Sequence, residues 1–167
     1  MSAAEQPQGA NSAPSGGSAA AQPQAWGDHT SVAGDALDAR LDAAAALADA
    51  PAAARAMLGV AEDVLARWVE ARGATPTSDT RESFRLLALH RQGAQDVPSF
   101  NACRETCREV AYHYNLLTLT PDDAQTPQRQ RMMAMLVRHL ALFVNGKMEV
   151  EGLGEFCCAA RPLRLES

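Results

Sequence analysis

The feature that most constrains this chain is the run Arg131-Met-Met-Ala-Met-Leu-Val-Arg-His-Leu-Ala-Leu-Phe-Val144. It follows Thr126-Pro127, and a capping threonine before a proline at the first helical position marks a helix start. At about 100° per residue, Met132, Met133, Met135, Leu136, Val137, Leu140, Leu142, Phe143 and Val144 cover more than half of the helix circumference. A surface helix shows a narrower stripe, so the expectation is a helix nearly surrounded by others. His139 falls in the middle of that apolar arc. Arg131, Ala134, Arg138 and Ala141 form the remaining polar or small edge, and Asn145-Gly146 supplies a stop.

A buried helix needs neighbours, and the rest of the chain provides them. The composition is 47% hydrophobic but only 5% aromatic, with much alanine. That favours closely packed helices over a sheet. Val32, Leu37, Leu41, Ala44 and Ala48 make a weak amphipathic helix that ends before Pro51. Met57, Val60, Ala61, Val64, Leu65 and Trp68 form a better stripe, closed by Gly73. Asp79 stands three residues before Glu82, a variant capping box that opens a third helix running to Gly93. Pro98-Ser99 opens a fourth, from Phe100 to about Leu119. On it Phe100, Cys103, Cys107, Val110, Ala111, Tyr114 and Leu117 share an arc of roughly 120°.

The fold class expected is therefore an all-α bundle of about five helices over residues 29–146. Residues 1–28 are Ala, Gly, Ser, Gln and Pro with little to bury, and read as a disordered low-complexity tail. Residues 147–167 read as a small C-terminal appendage. There the alternating Lys147-Met-Glu-Val-Glu151 leaves a short β-hairpin and an irregular cap both open.

The functional classes narrow by exclusion. The net charge of −5 argues against a nucleic-acid partner, because phosphate binding draws on a basic surface. No run approaches the roughly 18 apolar residues of a membrane span. The N-terminus carries no basic segment followed by an apolar one, so the expected location is the cytoplasm, with reduced cysteines. Phosphate loops, dinucleotide fingerprints and nucleophile elbows are not found.

Three sets of residues could carry chemistry. Cys103 and Cys107, one helical turn apart, could hold a soft metal with Cys157, Cys158 and His139: zinc, an iron–sulfur cluster or copper. Their place at the centre of an apolar stripe equally suits two small core side chains. Arg85…His90 and Arg108…His113 both show the Arg-x4-His spacing used by helical HEPN ribonucleases. At this arginine content about one such pair arises by chance, and no family follows from them. His139 in an apolar arc reads first as a neutral core histidine. The reading that remains is a small accessory protein that binds another protein and needs no cofactor. A thiol- or metal-based sensor is the alternative and a ribonuclease the third.

Overall fold

The structure, a computed structural model, describes residues 32–153. Five α-helices follow in order: α1 (Val32–Ala45), α2 (Ala50–Ala71), α3 (Arg85–Gly93), α4 (Arg104–Leu119) and α5 (Thr126–Val150). A 3-10 turn, Pro98–Cys103, leads into α4. No strand occurs among the described residues; one isolated bridge joins Arg81 to Phe84. The all-helical bundle is as the periodicity implies. Residues 1–28, Cys157 and Cys158 lie outside the described residues, as does most of the expected appendage.

The helix at the centre is α2. Asp49 caps its start by accepting from the Ala52 amide at 2.8 Å, with Pro51 in the first turn. Gly73, at φ +79°, ends it: its own amide donates to Glu70 and the Ala74 amide donates to Val69, the paired bonds of a Schellman stop. Met57, Ala61, Leu65 and Trp68 are fully buried along it. Helices α1, α3, α4 and α5 all pack against it. Alanines at 50, 53, 54 and 61 let those neighbours come close. The Trp68 indole N–H donates to the Gly93 carbonyl at 2.9 Å, and its ring stacks on Phe100 at 4.7 Å. A Cβ at Gly93 would lie 2.7 Å from Trp68 Cδ1, so the end of α3 needs a glycine to pass the indole.

Helix α5 departs from expectation in phase and in length. Met133, Ala134, Leu136, Val137, Leu140, Ala141, Val144 and Met148 face inward, whereas Met132, Met135, His139 and Leu142 face solvent. It is not a surrounded helix. The alanines counted as a small edge are core residues, because small side chains permit close helix approach, and the large methionines beside them point out. Phe143 is only partly buried. Nor does Gly146 stop the helix. It lies inside α5, and the stop is Gly152 at φ +66°, where Gly152 donates to Glu149 and Leu153 to Met148. Leu153 packs on the core beside Met148, the apolar contact that accompanies a Schellman stop. Residues 147–150, read as the start of an appendage, are therefore the last turn of α5.

The third helix also starts later than its sequence signal. Asp79 does not cap it. Arg81 and Phe84 exchange both backbone hydrogen bonds around Glu82 and Ser83, at φ 50° and 69°, a tight turn of the mirror-image type. The helix begins only at Arg85, with no side-chain cap.

Polar links then fix α5 against α1. Arg138 donates to Asp38 at 3.2 Å and to Asp42 at 2.7 Å. Gln130 donates to the carbonyl of Ala45, the last residue of α1, and to that of Leu47 just beyond the helix.

Candidate functional site

The thiols are where the α4 stripe puts them, in the core. Cys103 is the residue before α4, Cys107 is one turn on, and both are buried. The third member of their cluster is His90 of α3, which lies against Cys103 and stacks on Phe100 at 5.9 Å. It is buried, and its Nε2 has no hydrogen-bond partner. Hydrogen bonding from Cys107, with His90 adding to it, draws the Cys103 thiol below its ordinary value against the effect of burial. Cys107 moves the other way, held up by its bond to Cys103 and by burial. Yet Cys103 Sγ lies 3.2 Å from the Phe100 carbonyl oxygen, which accepts only from a protonated thiol. The pair thus rests as two buried thiols, with Cys103 the first to ionise.

His139 does not join them. It is exposed on the outer face of α5, across the helix from the core. Among the described residues no three His, Cys, Asp or Glu side chains converge as a metal would require. The histidine beside the thiols is His90, four residues after the buried Leu86. That spacing, extended along α3, was the signal that could have found it.

The Arg-x4-His pairs are spread apart by the fold. Arg85 donates to the Thr77 carbonyl and pairs with Glu62 at 3.6 Å, while His90 points into the core. Arg108 reaches Glu82 at 3.5 Å. His113 is partly buried, and burial lowers its pKa.

What the surface does offer is the outer face of α5. Met132, Met135, His139, Leu142, Gly146 and Val150 fall at spacings of three and four, in one line along the helix. Met135 is 55% exposed and Leu142 67%. From Met132 to Val150 the line runs about 27 Å at about 1.5 Å per residue. Beside its first turns lies an open depression of about 550 Å³, bounded by Leu47, Pro127, Arg131, Met135 and Arg138. Spacing of this kind is the seam by which helices pair. An apolar line on a soluble surface is the feature that marks contact with something else. No described helix is long and apolar enough to cross a membrane.

Compared with known proteins, the chain matches no family model, no curated protein and no solved structure.

Proposed function

We propose that this chain works by binding a helical segment of a protein along the outer face of α5. One observation carries the reading: the line Met132, Met135, His139, Leu142 and Val150 is exposed on a helix whose opposite face already completes the core. The inner face accounts for folding, so folding gives no reason for large apolar side chains outside. A helix laid along the line would cover them at every turn. One edge of the line carries Arg131 and Glu149, one charge of each sign, which suits a protein partner better than an anionic membrane surface. The sensor reading lacks an observation of comparable weight, since Cys103 and Cys107 are enclosed and Cys103 donates to the Phe100 carbonyl.

The test is a photo-reactive amino acid placed at Leu142 and, separately, at Tyr112, which is exposed on α4 outside the line. In living cells the probe at Leu142 should give a discrete protein adduct and the probe at Tyr112 should not. Equal labelling from both positions, or none from Leu142, would overturn the reading.

A further inference from the structure

We infer that the segment seated on the outer face of α5 is α5 of a second copy of this chain, antiparallel to the first about a two-fold axis near residues 140–141. This deepens the reading above and rests on it. Arg131 and Glu149 are 18 residues apart (149 − 131), which at about 3.6 residues per turn is five whole turns. They therefore lie on the same edge of the outer face, near opposite ends of the apolar line. Both are exposed, and neither enters an ion pair among the described residues. The neighbouring cation, Arg138, is already held by Asp38 and Asp42.

A two-fold axis perpendicular to a pair of antiparallel helices sets each edge against the same edge of the partner. Arg131 then meets the partner's Glu149, and Glu149 the partner's Arg131. The face is complementary to itself, as an isologous contact requires. Parallel pairing in register would set each edge against the opposite edge of the partner and leave Arg131 about five turns away from the partner's Glu149.

The apolar residues obey the same axis. Met132 falls opposite Val150, His139 opposite Leu142, and Met135 opposite Gly146. That last match explains a residue the fold does not. Gly146 lies in the interior of α5, where glycine is among the poorest helix formers. Nothing in its own chain comes within 4 Å of where a Cβ would be. A methionine from a second copy laid over it needs that space. A single helix-pair seam is small among specific interfaces, so the dimer should dissociate in the micromolar range.

Sedimentation of the full chain over a range of concentrations tests this. The wild type should pass from monomer to dimer. Arg131→Glu and Glu149→Arg should each weaken association about tenfold or more, since each reverses two symmetry-related contacts. The double variant Arg131→Glu/Glu149→Arg should restore it, an outcome that damage to the fold could not produce. Gly146→Ala should weaken the dimer while raising the melting temperature of dilute monomer. A chain that stays monomeric at millimolar concentration, or a dimer indifferent to both reversals, would overturn the second copy. The adduct formed at Leu142 separates the two levels. If it joins two copies, both stand. If it joins a different polypeptide, the binding face stands and the second copy falls. If none forms, both fall.

Discussion

The two long helices of this bundle teach opposite lessons about what an apolar sequence commits a helix to. Helix α5 has the densest run of large apolar side chains in the chain, yet it displays Met132, Met135 and Leu142 to solvent. Helix α2 is rich in alanine, and it is the element against which the other four helices pack. Large side chains demand cover but do not say which of them will receive it. Small ones allow close approach, and close approach places a helix at the centre. The organising element is therefore α2, through Trp68 and its fit under Gly93. What α5 adds is a second apolar line, left over after the core is complete.

That contrast can be broken by mutation. Trp68→Ala should have the largest effect, a loss of about 3–5 kcal/mol in chemical denaturation. It removes a fully buried indole, its stack on Phe100 and its hydrogen bond to Gly93 together. A loss under about 1 kcal/mol would deny α2 its central place. Phe143→Ala, on the helix that looks more buried in sequence, should cost less, about 1–3 kcal/mol, because the ring is only partly covered. It still packs on Phe100, with centroids 5.8 Å apart, so the loss should be measurable. Denaturation curves that put Phe143→Ala level with Trp68→Ala would reverse the ranking.

Much of the fold was legible from periodicity, and its failures share a cause. The stripes of α2 and α4 keep most of their large apolar residues on one side, so their phase is readable and Cys103, Cys107, Val110 and Trp68 are buried as expected. Helix α5 has them on two sides. Its phase is decided by the surfaces of α1, α2 and α4, which no local pattern contains. The same ambiguity sent His139 outward and left His90 as the histidine beside the thiols. Glycine posed a related problem, because Asn145-Gly146 read as the stop of α5. Only Gly152 has the left-handed backbone and the paired carbonyls of a helix end. At Asp79 the local signal for a cap was present, but a tight turn at Glu82-Ser83 intervened. The candidate binding face was written in the sequence throughout, as the surplus of apolar residues on α5. It could be separated from the core only once the core was known.

The most direct measurement compares two methionines of α5 only two positions apart. Met133 is fully buried and Met135 is 55% exposed, so one residue type samples both faces of the same turn. Met133→Ala and Met135→Ala should be denatured at submicromolar concentration, where a weak dimer has dissociated. The first should lose about 2–5 kcal/mol, and the second should stay within about 0.5 kcal/mol of the wild type. A comparable loss at both positions would mean that α5 is enclosed on every side, and that its outer face is core and not a binding surface.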